Sequence, residues 1–334
     1  MINSLFSVII PTYNRLDRLK VCLPTFLSTK LQDVEFIIVD NCSTDGTWSY
    51  LKELASNDKR LRILQNPQNI GMVKNWLRCY CEVKSPFALF LSDDDKLEGD
   101  YITQCYEIFV SHSQVGLVHH FASGWKHNAA GQKDDYVVHE SGEDAQRAIC
   151  MITGAYAGIA FRMNNFDLGN FSLDAGSIYP QVKASLLIAR NYDVAIIKKC
   201  GIVSPDWGET VAEKFKEQNR PNDFGLVERI SYLNKYASSK ILFHFVRCTI
   251  PWYINIVALF VENSQITLFQ ITSSIPKYYF NLLTLLYILK KKKFKILVYF
   301  LLTLVINPFR LIYFIKFSFI LSTRKIKFFI HRRI

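Results

Sequence analysis

The stretch at residues 87–95 reads Phe-Ala-Leu-Phe-Leu-Ser-Asp-Asp-Asp, an apolar run that ends in adjacent carboxylates. A short apolar run before a turn is typical of a buried strand, so the carboxylates are expected where that strand leaves its sheet. Open α/β sheets bind ligands at this edge. Neighbouring carboxylates repel one another unless a cation shares them, and oxygen ligands suit Mg²⁺ or Mn²⁺. The structural alternative is an exposed acidic turn that caps a helix.

Segments of strand and helix character alternate along the chain. Apolar periodicity predicts strands at residues 6–11, 34–40, 61–64, 87–91 and 115–121. Helical spacing predicts helices between them, at residues 16–27, 47–55, 71–81 and 100–110. Farther along, the pattern predicts a strand at 155–161, a helix at 180–189 and a strand at 194–197. This alternation with short connections predicts a parallel sheet covered by helices, the α/β class.

The net charge is unevenly distributed. The 334 residues carry 40 Lys and Arg against 29 Asp and Glu, a formal charge of +11. Glu262 is the last acidic residue, and 13 of the basic residues follow it. The preceding body is therefore close to neutral, and the basic excess belongs to the C-terminal region.

The same C-terminal region is strongly apolar. Residues 241–261 and 296–321 are long enough to span a bilayer, but they carry Arg247 and Arg310 within the apolar runs. With the lysines at 290–293, such segments favour helices that lie in the membrane plane and contact anionic headgroups at about 1 kcal/mol per basic residue. A transmembrane span is the alternative. Nucleic acid is a poorer partner, because phosphate binding does not need continuous apolar runs.

The eight cysteines lack the paired spacing of a structural zinc site or a thioredoxin-like motif. The N-terminal apolar run has no basic leader and ends at Pro11, so no signal peptide is expected. Both features favour reduced thiols in a cytoplasmic protein.

Polar loops follow four of the predicted strands, and the strands of a parallel sheet end at one edge. In the first loop, Tyr13 offers a ring that stacks on a base, beside backbone amides that begin a helix. In the second, at residues 40–47, Asp40 is placed to accept the imino hydrogen of a pyrimidine. The third loop is at residues 66–71, and the acidic run is the fourth. Together they predict a nucleotide site, although each has a structural reading as packing, an Asx turn or a helix start.

With these motifs the chain resembles the family 2 inverting glycosyltransferases of GT-A fold. The resemblance rests on residues 7–15, 38–47, 69–71 and 90–95, motifs that are specific when they occur together in this order. It implies a Rossmann-like three-layer α/β sandwich, a nucleotide-sugar donor, and Mn²⁺ or Mg²⁺ as cofactor.

The resemblance also implies roles for individual residues. The residues implied to bind the nucleotide sugar are Pro11, Thr12, Tyr13, Arg15, Asp40, Asn69, Gly71 and Asp93. Among these, Pro11, Thr12 and Tyr13 flank the nucleobase, and Asp40 binds it. The implied metal ligands are Asp94, Asp93 and Asp95.

Two positions depart from the family pattern. Ser92 stands where the first aspartate of the DxD-type run is usual, which leaves Asp94 as the direct metal ligand. Many relatives have a carboxylate base near the start of the helix predicted at 180–189, but Tyr-Pro-Gln occupies residues 179–181 here. The nearest candidate for the base that deprotonates the acceptor is Asp174, whose structural alternative is a turn cap. Asp206 and Glu209 are further candidates.

Residues 177–182, with Asp174 before them, resemble the O-antigen branch of the family, which includes abequosyltransferase-like enzymes. The QxxRW signature of processive relatives is absent, so we expect transfer of one sugar per encounter. The predicted organisation is a glycosyltransferase domain at 1–220, with a nucleotide-sugar half at 1–125 and an acceptor half at 126–220. The mostly helical, basic and apolar region at 221–334 is expected to associate with the membrane.

The resulting hypothesis is a bacterial enzyme that lies peripherally on the cytoplasmic face of the inner membrane. It moves one hexosyl or deoxyhexosyl unit, with inversion, to a polyprenyl-diphosphate-linked saccharide in O-antigen or capsule biosynthesis. One alternative is a catalytically impaired, membrane-associated nucleotide-binding scaffold, because of Ser92 and the missing base. The other is a sugar-1-phosphate nucleotidyltransferase, which the absence of a Gly-rich loop at residues 11–14 disfavours.

Overall fold

The computed structural model describes residues 4–120, 135–150, 157–167, 179–198 and 201–203, with single positions at 152, 205 and between 229 and 245. The chain divides into two compact units: Met1–Glu217 with Tyr232–Ile241, and Gln218–Ser231 with Leu242–Ile334. Nearly all described residues belong to the first unit. The predicted boundary at residue 220 and nearly all of the predicted membrane-associating region lie outside the described residues. Within the described ranges, no helix has the length and apolar character needed to cross a bilayer.

The described elements alternate as the sequence predicts. The strands are β1 Phe6–Thr12, β2 Val34–Asp40, β3 Leu61–Gln65, β4 Phe87–Phe90, β5 Lys96–Leu97, β6 Val115–His120, β7 Tyr136–His139, β8 Ile159–Arg162, β9 Asp193–Ile197 and β10 Ile202–Val203. The helices are α1 Leu16–Leu27, α2 Thr47–Asn57, α3 Met72–Cys81, α4 Tyr101–Ser111, α5 Glu143–Cys150 and α6 Pro180–Asn191, with a 3₁₀ turn at Met163–Asn165.

The main sheet has the strand order β3-β2-β1-β4-β8-β6-β9-β7. Strands β3, β2, β1 and β4 are parallel, whereas β8 runs antiparallel to both β4 and β6. Strand β6 therefore points the same way as β4, and β9 is parallel to β6. The predicted parallel sheet is confirmed for most strands, but β8 and the edge strand β7 run antiparallel to their neighbours. The fold is mixed α/β with a sheet dominated by parallel strands.

Helices cover both faces of the sheet around β1, whose residues are all buried. Phe6, Val8 and Ile10 belong to one core together with buried residues of α1 and α4. On the other face, Phe90 of β4 meets the rings of Trp76 and Tyr80 from α3, with centroids 5.7 and 6.5 Å away. Burial on both faces explains why the central strands read as continuous apolar runs. The three-layer arrangement leaves the carboxyl edge of the sheet as the place where polar loops gather.

Candidate active site

The loops after β1, β2, β3 and β4 lie side by side at the carboxyl edge because the backbone pairing of the strands continues into them. The backbone N–H of Asn41 donates to the carbonyl of Thr12 at 2.9 Å, and that of Asn66 donates to the carbonyl of Asp40 at 2.8 Å. The N–H of Leu91 donates to the carbonyl of Ile9 at 3.0 Å. The parallel register thus brings the four predicted loops together.

The first and second loops are joined through side chains. The backbone N–H of Asn14, a residue with φ of 50°, donates to Ser43 Oγ at 2.8 Å. In return, the N–H of Thr44 donates to Asn14 Oδ1 at 2.8 Å. Asp45 Oδ2 accepts from the N–H of Leu16 at 3.0 Å, at the first turn of α1. The N-cap residue of α1, Arg15, makes no capping bond with its side chain. Asp45 supplies a capping bond to this helix instead.

Asp40 is fully buried at the end of β2. Its carboxylate accepts from the backbone N–H and the hydroxyl of Ser43, and Gln65 Nε2 donates to its Oδ2 at 2.8 Å. The bonds from Ser43 give Asp40 the local turn role that the structural alternative predicts, although the donating N–H lies three residues on rather than the two of an Asx turn. A carboxylate keeps further lone pairs, so the contact with a nucleobase stays a prediction.

Asparagine side chains tie the third loop to the second. Asn66 Nδ2 donates to Asn41 Oδ1 and to Asn75 Oδ1, at 2.8 and 2.7 Å. Asn41 Nδ2 donates to Asn69 Oδ1 at 2.7 Å, and Arg78 Nη1 donates to Asn66 Oδ1 at 2.5 Å. We call Asn41, Asn66, Asn75 and Arg78 the asparagine network. Through the bond from Asn41, this network holds the exposed side chain of Asn69 in place.

Gly71, just before α3, has φ of +84°, a conformation that favours glycine. A Cβ built there would meet no other atom within 4 Å. The third loop therefore needs glycine for its backbone conformation, and the space beside it is open.

Helix α1 supports the acidic loop. Arg18 Nη1 lies 3.3 Å from Asp94 Oδ2, and Ser92 Oγ donates to the other oxygen of Asp94. Two turns further along α1, Thr25 Oγ1 accepts from the backbone N–H of Leu97 at 3.1 Å. The acidic loop is thus bound to α1 at two points and to β1 at its start.

The electrostatics of the acidic loop centre on Asp93. Burial first, and the neighbouring charge of Asp94 second, raise the pKa of Asp93 to about 7. The hydroxyl of Thr12 and the positive charges of Arg15 and Arg18 act in the opposite direction. The predicted site residues Thr12 and Arg15 therefore lower the pKa of Asp93, against the effects of burial and Asp94. A cation bound nearby would favour the ionised form of this carboxyl group and would lower its raised pKa.

This donor set fits a divalent metal in its chemistry, because the half-buried carboxylates Asp93, Asp94 and Asp95 offer hard oxygen ligands. Within the described residues, however, no three acidic, His or Cys side chains already converge as a metal cluster. Asp94 is turned toward Arg18 and Ser92 instead. The carboxylate that the motif assigns to the cation is therefore already engaged by other groups of the fold.

The remaining predicted residues divide between exposed and buried positions. Pro11 and Thr12 are buried in β1, whereas Tyr13 keeps 41% of its surface exposed at the mouth of the loops. Asp174, with Asp206 and Glu209, lies outside the described residues. Tyr179 is the N-cap residue of α6, and Pro180 is in its first turn, where the missing N–H of proline costs nothing.

His119 and His120 lie at the end of β6 on the same edge, and both are buried. Their rings pack edge to face with centroids 4.9 Å apart, and the ring of His120 meets that of Tyr101 at 5.6 Å. His120 Nε2 lies 3.2 Å from the carbonyl of Ala157. These contacts favour a packing role for the histidine pair.

The site contains residues that the sequence did not single out: Arg18, Asn41, Asp45, Asn66 and Arg78. The asparagines carried a signal, since polar residues at strand ends of a parallel sheet meet at one edge. Arg18 carried none, because a basic residue on an amphipathic helix reads as a solvated side chain.

The segment that builds this edge matches a known family. Residues 7–165, slightly less than half of the chain, match the family model described as Glycosyl transferase family 2. These residues include all four loops. The match supports a family 2 glycosyltransferase. Nothing in it bears on the abequosyltransferase-like branch.

Two curated relatives of this segment are bacterial glycosyltransferases. The chain is 30% identical over 109 residues to the putative teichuronic acid biosynthesis glycosyltransferase TuaG of Bacillus subtilis, a match that covers 33% of this chain and 43% of that protein. It is 33% identical over 93 residues to the GalNAc(5)-diNAcBac-PP-undecaprenol beta-1,3-glucosyltransferase of Campylobacter jejuni, over 27% of this chain and 30% of that one. The chain thus matches less than half the length of either relative.

The fold is similar to that of residues 1–349 of S. aureus TarS. The two structures superpose with a TM-score of 0.53 at 16% identity, over 84% of this chain and 86% of that one. The similarity agrees with the GT-A fold that the motifs implied.

Proposed function

We propose that this protein is a family 2 glycosyltransferase that moves one hexosyl or deoxyhexosyl unit from a nucleotide sugar to a lipid-linked oligosaccharide with inversion. Its place would be the biosynthesis of a bacterial surface polysaccharide, an O-antigen or a capsule. The observation that carries the proposal is the convergence of four polar loops at one sheet edge within the segment that matches the family.

In the proposed enzyme, the donor lies along these loops. Exposed Tyr13 stacks on the nucleobase, and the open space at Gly71 lets the donor approach the backbone. Asp93 and Asp94, with Asp95 beside them, would hold Mn²⁺ or Mg²⁺. When bound, such a metal offsets the charge that develops on the leaving diphosphate.

Inversion requires a base on the acceptor side. The base removes a proton from the acceptor hydroxyl while that oxygen attacks the anomeric carbon from the face opposite the leaving group. Asp174 is the candidate, because it precedes α6, where relatives of the family place a carboxylate. The sequence that begins α6, Tyr179 to Gln181, supplies no carboxylate of its own.

A lipid-linked acceptor fits two observations. The Campylobacter relative is named for an undecaprenol-linked acceptor. The basic, apolar region after Glu262 suits the anionic inner leaflet, where a polyprenyl-diphosphate saccharide resides. Peripheral attachment to the cytoplasmic face of the inner membrane would bring the donor edge to this acceptor.

The test is a transfer assay with the full chain, Mn²⁺, lipid-linked saccharides and a panel of UDP-, GDP-, CDP- and dTDP-sugars. We expect one donor to be consumed and the product to carry the opposite anomeric configuration, measured by NMR. The variant D174N, or variants of Asp206 and Glu209 in turn, should lower kcat with little change in donor KM. If every nucleotide sugar in the panel stays intact with acceptor present, the proposal is wrong.

A scaffold without catalysis is the second candidate, and one observation favours it. Ser92 and Arg18 both engage Asp94, which is the carboxylate expected to bind the metal. Calorimetry of nucleotide binding separates the two functions. An enzyme should bind its nucleotide more tightly with Mn²⁺ than with EDTA, whereas a scaffold shows no such dependence.

A further inference from the structure

Arg18 forms a largely enclosed ion pair with the acidic loop. It extends from the first turn of α1, and its Nη1 lies 3.3 Å from Asp94 Oδ2. The side chains of Arg18 and Asp94 keep only 12% and 18% of their surface exposed. An ion pair so far removed from water is stronger than one at the surface, because solvent screens it less.

The other oxygen of Asp94 is also engaged, since it accepts from the hydroxyl of Ser92. Two different groups therefore hold the two oxygens of one carboxylate. Of these, the hydroxyl is neutral and adjusts to a cation by rotating, since its oxygen also accepts. Arg18 cannot adjust in this way, because a guanidinium stays charged and has no acceptor atom.

From this geometry we propose that Arg18 is a built-in counter-charge that occupies the place of the cation and competes with the metal for Asp94. The inference rests on the proposed donor site and deepens it. Arg18 is a positioning residue, since it acts on the metal through Asp94. The metal would enter when the guanidinium swings aside.

The backbone of the acidic loop is fixed without Arg18. The N–H of Leu91 is bound to the carbonyl of Ile9, and the N–H of Leu97 is bound to Thr25 Oγ1. The backbone conformation of the loop is therefore expected to stay the same when the long, flexible side chain of Arg18 changes rotamer. Movement of one side chain is enough to release Asp94.

The test compares Mn²⁺ binding to three variants of the full chain by calorimetry, without nucleotide. In R18Q the competing charge is gone, and we expect Mn²⁺ to bind roughly tenfold more tightly. R18K restores a cation and should return the affinity toward that of the wild type. K20Q is the matched control, because exposed Lys20 lies on the same helix and has the same charge.

A purely structural role for Arg18 makes the opposite prediction. If Arg18 only holds Asp94 in a binding position, R18Q binds Mn²⁺ more weakly than the wild type, and the inference is overturned. It is overturned as well if R18Q and the wild type bind equally, or if neither binds. Thermal unfolding in EDTA should show a lower midpoint for R18Q than for K20Q, since Asp94 loses its partner.

A second measurement covers the case in which R18Q does not fold. The Nε–H signal of Arg18 in labelled wild-type protein, assigned by its absence in R18K, should shift on titration with Mg²⁺. A signal that does not move would refute the competition. Sugar transfer by the wild type is measured separately. If Arg18 and the metal do not compete, the proposed transferase activity is unaffected, and if no sugar is transferred, the competition for Asp94 is unaffected.

Discussion

Asn66 lies at the centre of the hydrogen bonds that hold the third loop to the second. It is buried and contacts Asn41, Asn75 and Arg78. Truncation to alanine leaves these three polar side chains short of a partner. We expect N66A to lose about 2 to 3 kcal/mol of unfolding free energy in urea titrations.

The control for this change is N57A. Asn57 is exposed at the end of α2, and its amide bonds only to the carbonyl of Glu53. Its loss should cost less than about 0.5 kcal/mol. Equal costs for the two variants would show that the asparagine network contributes little to stability.

Tyr13 tests the proposed stacking of the nucleobase. Because 41% of its surface is exposed, Y13A should leave unfolding free energy almost unchanged. Loss of ring stacking should raise KM for the donor found in the panel by about fivefold or more. Y13F keeps the ring and should keep the KM of the wild type, so a rise in Y13F equal to that in Y13A would point to the hydroxyl instead.

At this scale the sequence indicates which residues are polar and at strand ends, but not which of them bond to each other. Asn41 and Asn66 are 25 positions apart, and their contact depends on the pairing of β2 with β3. Asp40 is the sharper case. This carboxylate, predicted to bind a nucleobase, is fully buried and accepts hydrogen bonds from Ser43 of its own turn and from Gln65 of β3, and sequence patterns do not indicate the second of these contacts.

Helices and strands with strong periodicity were predicted closely. α1 and β2 have the predicted bounds, and α2 and α4 differ by only a residue or two at their ends. The strand predicted at 155–161 is shifted, since β8 begins at Ile159 after Gly158. Gly158 has φ of +88°. A residue with positive φ does not continue a regular strand, so β8 begins after this glycine.

Elements without a periodic signal were missed. β5 and β10 have two residues each and exist through pairing with each other. β7 is a half-buried strand that pairs with β9. Such strands form because they pair with strands that are distant in the sequence. The residues near them in the sequence therefore do not predict them.

Asp100 links the start of α4 to the turn after α1. Its oxygens accept from the hydroxyl of Thr29 at 2.7 Å, the backbone N–H of Lys30 at 2.9 Å and the N–H of Thr103 at 3.3 Å. Partial burial alone would raise the pKa of Asp100, but these hydrogen bonds outweigh it and hold the pKa below its usual range. The ionised form therefore stabilises the fold above the usual aspartate pKa.

We expect D100N to lose about 1 to 2 kcal/mol at pH 7, because an amide nitrogen cannot accept a hydrogen bond in place of a carboxylate oxygen. The stability that the ionised carboxylate contributes disappears as the pH falls through the lowered pKa of the folded state. The difference between D100N and the wild type should therefore shrink in acid. Urea titrations at several pH values measure the difference. The control is D33N, since Asp33 is exposed at the end of the same turn, directly before β2. A difference that does not change with pH would contradict the account.

For the whole molecule, the charge asymmetry predicts which part of the chain would contact a membrane. The body before residue 263 is nearly neutral, so the proposed attraction to anionic lipid is expected to come from the C-terminal region. Lysines at 290–293 and 295 contribute about 1 kcal/mol each near such a surface. Their collective effect falls off within a Debye length, so the binding is expected to weaken steeply with salt.

Replacing those five lysines with glutamine should weaken binding of the full chain to vesicles that contain phosphatidylglycerol by more than about a hundredfold at low salt. Five exposed lysines of the body serve as the matched control: Lys20, Lys30, Lys52, Lys59 and Lys84. Their replacement removes the same charge and should leave vesicle binding unchanged.

Alkaline carbonate should release the wild-type protein from membranes, because helices in the membrane plane are held by their surface contacts. Retention in carbonate together with unchanged vesicle binding of the five-lysine variant would establish a transmembrane span in place of in-plane attachment.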